Sequence, residues 1–177
     1  MTDFIGFPKM ARLSRECIIT EKIDGTNAQI CITADGQFLV GSRTRWITPE
    51  DDNFGFARWA HENRDELMTL GVGQHFGEWW GQGIQRNYGM ADRRFSLFNV
   101  TRWAEVRPAC CHVVPTLYRG VFSEMEVNSA LHLLAYAGSH AAPGFMKPEG
   151  IIIYHTAAGI GFKKTIEKDE QPKGKQQ

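Results

Sequence analysis

Glu21-Lys22-Ile23-Asp24-Gly25-Thr26-Asn27 is the stretch on which the reading of this chain turns. It sets one lysine beside a carboxylate and a glycine turn, with an amide just beyond. A surface lysine is a solvated cation with a pKa of about 10.4 and no free lone pair at neutral pH. To act as a nucleophile it must be desolvated or lie beside a second cation. Lys163 and Lys164, near the other end of the chain, are candidates for that cation. Taken alone, the heptapeptide reads equally well as a strand-end turn in which Asp24-Gly25 reverses the chain.

The surroundings read as mixed α and β structure. Residues 28–33 and 38–42 are apolar or β-branched runs separated by Ala34-Asp35-Gly36-Gln37, the pattern of a hairpin, so the lysine sits where a strand hands over to it. Residues 53–70 predict a helix with Phe56, Trp59, Ala60, Asn63 and Leu67 on one face and Gly71 ending it. The Asp51-Asp52 pair suits the positive end of that helix. Strands are predicted over 74–80, 94–100 and 113–118, the first two joined by a glycine-rich, basic segment. Ser123 and Glu126 form a capping box that predicts a second helix to about Ala137, with Leu131 and Leu134 on its buried face. Two last strands follow, over 149–155 and 160–166. Residues 1–167 thus read as one domain and 168–177 as a frayed tail.

Composition narrows the function classes. The 177 residues suffice for a core without disulfides or metals. The formal net charge is zero, so any nucleic-acid binding needs a local basic face, for which Arg43, Arg45, Arg86, Arg93, Arg94 and the C-terminal lysines are available. The four cysteines, Cys17, Cys31, Cys110 and Cys111, contain no CxxC pair and read as reduced thiols. Cys110-Cys111-His112 precedes Val113-Val114 and reads as core strand, not a metal cluster. There is no HExxH among the six histidines, no signal sequence, and no run of the roughly 18 to 20 apolar residues that cross a membrane. The expected setting is soluble and cytoplasmic.

Five motifs in a fixed order, with an aromatic strand among them, resemble the covalent nucleotidyltransferase superfamily of RNA ligases, DNA ligases and mRNA capping enzymes. The heptapeptide at 21–27 resembles its nucleophile motif, Gly41-Ser42-Arg43 the arginine motif, and Phe76-Gly77-Glu78 the third motif. Phe95-Ser96-Leu97-Phe98-Asn99-Val100 resembles the aromatic strand that follows, Glu149-Gly150-Ile151-Ile152-Ile153 the fourth motif, and Phe162-Lys163-Lys164 the fifth. Singly each is weak; together they span nearly the whole chain. Asn27 resembles the RNA ligases that seal duplex-borne breaks, where DNA ligases and capping enzymes usually carry arginine. The chain stops after the fifth motif, without room for an OB-fold domain. Asn99 stands where the family often has aspartate, and Lys-Lys-Thr where Lys-x-Lys is commoner.

The resemblance implies an α+β nucleotidyltransferase (ATP-grasp-like ligase) catalytic domain, with antiparallel sheets flanked by helices and ATP held between them. It implies an ATP-dependent RNA ligase in which Lys22 forms a lysyl-AMP adduct, passes AMP to a 5′-phosphate end and lets a 3′-hydroxyl displace it. Arg43, Lys163 and Lys164 would stabilise phosphate charge, Glu149 would hold Mg2+ or Mn2+, Glu78 would bind the ribose, and Phe98 would stack on adenine. Glu21 and Asn27, within the nucleophile motif, join the nucleotide-binding set. Alternation along the last strand puts Lys163 and Lys164 on opposite faces, with family position favouring Lys163 at the phosphate. The alternatives are a DNA-sealing or stand-alone nucleotidylating enzyme, or a non-catalytic RNA-binding module.

Overall fold

The structure, a computed structural model, describes residues 2–170. Its organising element is β1 (Glu16–Lys22), which is buried on both faces. Period-two alternation sends Cys17 and Ile19 into one apolar cluster and Ile18 into another, so a different layer covers each face. Two sheets result. One has four antiparallel strands in the order β7-β1-β8-β9, with β7 at Thr116–Val121, β8 at Gly150–His155 and β9 at Ile160–Thr165. The other has five strands in the order β3-β2-β4-β5-β6: β2 (Thr26–Ile32), β3 (Phe38–Ser42), β4 (Gly73–Gly81), β5 (Arg93–Leu97) and β6 (Cys111–Val113). Its pairs are antiparallel except β5 with β6, which is parallel. The chain crosses between the sheets twice, at residues 23–25 and at 114–115.

Helices close the outer faces. The helix α4 (Glu124–Ala137) places Val127, Ala130 and Leu134 against Ile19, Ile151 and Ile153 of the four-stranded sheet. Ser123 Oγ caps it, accepting from the Glu126 N–H at 3.2 Å. Over the five-stranded sheet, α1 (Phe56–Glu62) and α2 (Arg64–Met68) bury Phe56, Ala60 and Leu67 against Trp79 and Phe95. No helix among the described residues is long and apolar enough to cross a membrane.

Several elements differ from the sequence expectation for local reasons. The single helix expected over 53–70 breaks at Asn63 (φ −105°, ψ 20°), whose side-chain amide donates to the Trp59 carbonyl at 2.8 Å and competes with the helical ladder. Of the acidic pair before it, Asp52 receives the N–H groups of Ala57 and Arg58, at 2.7 and 3.1 Å, whereas Asp51 pairs with Arg45. The strand expected over 113–118 is two strands in different sheets, split at Pro115, which has no N–H for a ladder. The strand expected to reach Val100 ends at Leu97, and Asn99 caps a short helix, α3 (Val100–Trp103), accepting from the Arg102 N–H at 3.1 Å. The expected tail begins tied down, since Asp169 accepts from the Thr165 N–H at 2.8 Å; residues 171–177 lie outside the described residues.

Candidate active site

A cleft of about 800 Å³ lies between the two sheets, and both crossings border it. On the four-stranded side, Ile18, Thr20 and Lys22 alternate along β1 and face into the cleft. Register carries this face across the sheet: Thr20 pairs with Ile152 on β8, and Ile152 with Lys163 on β9. Paired residues on antiparallel strands share a face, so Lys163 joins Lys22 in the cleft. Lys164 pairs with Ile151, which is buried on the α4 side. It therefore leaves the opposite face beside Phe162 and lies 3.4 Å from Asp169, so the structure does not bring it to the cleft.

Glu149 immediately precedes β8, and Gly150 is the register partner of Lys22. A side chain at position 150 would collide with the Lys164 carbonyl oxygen and come within 2.7 Å of Thr165 Cα, so only glycine lets β8 start this close to β9. Glu149 Oε2 then accepts from Lys22 Nζ at 2.5 Å. The carboxylate is 3% exposed and the lysine 20%, which shields the pair from most of the solvent competition that weakens surface ion pairs.

The opposite wall comes from the five-stranded sheet. Asn27 on β2 and Glu78 on β4 are direct partners, and Asn27 Nδ2 donates to Glu78 Oε2 at 3.2 Å. The Gly25 N–H donates to Oε1 at 3.0 Å. Gly25 is required here because a Cβ would run into the Trp79 carbonyl oxygen and sit 2.7 Å from Trp80 Cβ. Burial pushes the Glu78 carboxyl up to about 7; the Gly25 N–H and Lys22 oppose that rise, while Glu149 and Asp24 add to it. Phe98 and Arg43 also line this wall; Phe98 is 40% exposed, and Arg43 sits just past β3 with no carboxylate partner among the described residues.

Glu21 borders the cleft, but its carboxylate is engaged on the far side of β1. Its side chain is buried and accepts from Ser139 Oγ at 2.6 Å and from the N–H groups of His140 and Ala141 at 2.8 and 2.9 Å. It anchors the loop that leads to Glu149. Several of the arginines available for a basic face make contacts within the protein: Arg86 pairs with Asp24, Arg94 with Asp92, and Arg93 donates to the Phe54 and Gln82 carbonyls. Burial, with Glu66 nearby, raises the Cys110 thiol to about 11 and pushes Cys111 higher still. No cluster of metal-ligating side chains forms there or elsewhere among the described residues. Ile152, on the wall facing Phe98, was missed by sequence reasoning, although alternation from Lys163 through its partner strand would have found it.

Known proteins share this fold. Structures of Naegleria gruberi RNA ligase are similar: one variant with ATP and Mn has a TM-score of 0.66 at 20% identity, covering 88% of this chain and 51% of that chain. A second, with AMP and Mn, has a TM-score of 0.63 at 20% identity, with 85% and 49% covered. A third, without ligand, has a TM-score of 0.61 at 19% identity, with 86% and 50% covered. The chain thus spans about half the length of these ligases, and identity at this level speaks to fold. Two antiparallel-rich sheets with a cleft between them are the fold of a ligase-type nucleotidyltransferase domain. Residues 15–168 match the RNA ligase family, and the chain belongs to that family.

Proposed function

We propose that this domain is an ATP-dependent RNA ligase that works through a lysyl-AMP intermediate on Lys22. The observation that carries the reading is the Lys22–Glu149 pair at 2.5 Å, set in a cleft whose same wall presents Lys163. Lys22 Nζ must shed a proton before it attacks, and Glu149 Oε2 is the acceptor at hydrogen-bond distance. The amine forms a P–N bond to the α-phosphorus of ATP while the P–O bond to pyrophosphate breaks and the leaving group carries off the electron pair. Lys163 and Arg43 offset the charge that builds on the phosphate oxygens. Glu78 accepts ribose hydroxyl hydrogens, and Phe98, with Ile152 also lining the cleft, offers adenine a stacking face.

A divalent ion suits the donor set. Glu149 is a hard oxygen ligand, and phosphate oxygens and water would complete the shell, as Mg2+ and Mn2+ prefer beside nucleotides. When bound, it supplies charge neutralisation at the phosphates.

The adduct then passes AMP to a 5′-phosphate end of RNA, and a 3′-hydroxyl displaces it to form the phosphodiester. The free cysteines fit a reducing compartment such as the cytoplasm. Intact-mass measurement with and without ATP and metal tests the first step, and sealing of nicked RNA against nicked DNA tests the rest. A mass gain of one AMP followed by preferential sealing of RNA is expected. No gain would overturn the reading, and preferential sealing of DNA would move the substrate.

A further inference from the structure

We propose that Arg86 is a positioning residue that holds Lys22 and Glu149 in register; this rests on the reading of Lys22 as the nucleophile. Lys22 and Glu149 meet where the β1–β8 ladder ends, at the Lys22–Gly150 pair, and two segments outside that ladder run on from this point. One is the turn at 23–25 that follows β1, and the other is the loop at 139–149 that precedes β8. Arg86 belongs to neither and bridges both. Its Nε donates to Asp24 Oδ2 at 3.0 Å, and its Nη1 donates to the Lys147 carbonyl at 3.1 Å. Asp24 lies two residues after Lys22, and Lys147 two before Glu149. One rigid guanidinium fork therefore ties the chain just after Lys22 to the chain just before Glu149, continuing past the end of the β1–β8 ladder the link that the ladder makes at Lys22 and Gly150.

The segment that presents Arg86 is built for placement. Gln85, Asn87 and Tyr88 all have left-handed backbones, with φ of 44°, 62° and 51°. A left-handed backbone is unfavourable for a side chain such as Gln or Tyr and persists only where neighbours over-determine it. The neighbours are visible. Asn87 Oδ1 accepts from the Gly83 N–H at 3.0 Å, and Ile84 is fully buried. The Tyr88 ring packs between Trp80 and Phe145, with centroids 5.1 and 4.6 Å away, and its hydroxyl accepts from the Asp24 N–H at 2.8 Å. Tyr88 thus touches the same two segments as Arg86, with an apolar contact to the loop in place of a polar one. Three strained residues flank a side chain whose two bonds both go to the chain beside the reacting groups.

The test is single-turnover adduct formation by wild type, Arg86→Ala and Arg86→Lys at saturating ATP and Mg2+, at a temperature where melting curves show each folded. A misplacement of about 1 Å at a reacting centre slows attack on the order of 100-fold, so Arg86→Ala should lose between about 10- and 100-fold in rate. Its apparent affinity for ATP should change by less than about threefold, because Arg86 does not line the nucleotide wall. Lysine lacks the planar fork and should restore part of the rate. An Arg86→Ala rate equal to wild type, a loss confined to ATP affinity, or a loss that only tracks the unfolded fraction overturns the inference. No adduct in the wild type would overturn the proposed function and this inference with it, whereas a normal wild type beside an unimpaired Arg86→Ala overturns the inference alone.

Discussion

Lys163 and Lys164 are adjacent in sequence but leave β9 on opposite faces of the four-stranded sheet. Lys163 follows its partner Ile152 into the cleft, and Lys164 follows Ile151 toward the α4 side. Replacing each by alanine should therefore have very different effects. Lys163→Ala should slow adduct formation by roughly 100-fold, the usual loss when one preorganised donor to a developing charge is removed. Lys164→Ala should leave that rate within about twofold, as for a surface residue away from the chemistry. Equal losses in a rapid-quench comparison would place Lys164 in the site after all.

Lys22 can be separated into its charge and its lone pair. Lys22→Ala should abolish AMP labelling. Lys22→Arg keeps a cation beside Glu149 but guanidinium does not deprotonate, so it should be equally inert while melting close to wild type. Labelling of either variant, read by intact mass, would move the nucleophile elsewhere.

Glu78 should write its ionisation into a pH profile. Its folded pKa of about 7 lies above the ordinary 4.5, so between those values the folded state holds a proton that the unfolded state has released. Stability from this group is present at the acidic end, falls as pH rises through that window, and is lost above about 7. Glu78→Gln has no such slope. Its stability relative to wild type should climb from pH 4.5 to 7 and level off, by at most about 3 kcal/mol. ATP affinity should show the converse: in wild type it should weaken as pH drops below about 7, because the neutral acid is the poorer acceptor, and in the variant it should stay flat. Parallel urea melts and ATP titrations would show whether the two curves diverge.

Gly25→Ala should both destabilise the protein and remove activity, since the added carbon meets backbone and the Trp80 side chain rather than open space. Overpacking of this kind costs about 1 to 3 kcal/mol. Gly36→Ala is the matched control: φ there is 83° but nothing lies within 4 Å, so a penalty of about 1 kcal/mol from the backbone alone is expected, with adduct formation untouched. Similar activity in the two variants would show that the turn at Gly25 yields more readily than its packing indicates.

Phe98→Leu should weaken ATP binding more than it slows the chemical step, because a stacked base is held in the ground state as well as the transition state. A loss of turnover at unchanged affinity would count against stacking.

The strands were legible because alternation and turn residues mark them. The hairpin over β2 and β3, the capped helix α4 and the last two strands fall within a residue or two of the sequence reading. What escaped was decided across space. Pro115 marks a break between Val113 and Thr116, but which sheet each strand then joins is set by partners distant in sequence. In the site, period-two alternation sufficed to part Lys163 from Lys164. The same rule, applied to Glu21 beside Lys22, would have sent its side chain to the far face, where the loop at 139–141 takes it. Arg86 read as one charge of a basic cluster, because its partners are more than sixty positions away.

Only two stretches, 23–25 and 114–115, carry the chain from one sheet to the other, and Lys22 stands next to the first. Any rocking of one sheet on the other must take its torsion from these few bonds, of which Pro115 has one locked by its ring. The amine lies at the pivot, while Arg43 and Phe98 ride on the swinging side. Under the proposed function, such a hinge would keep Lys22 nearly fixed while the opposite wall moved.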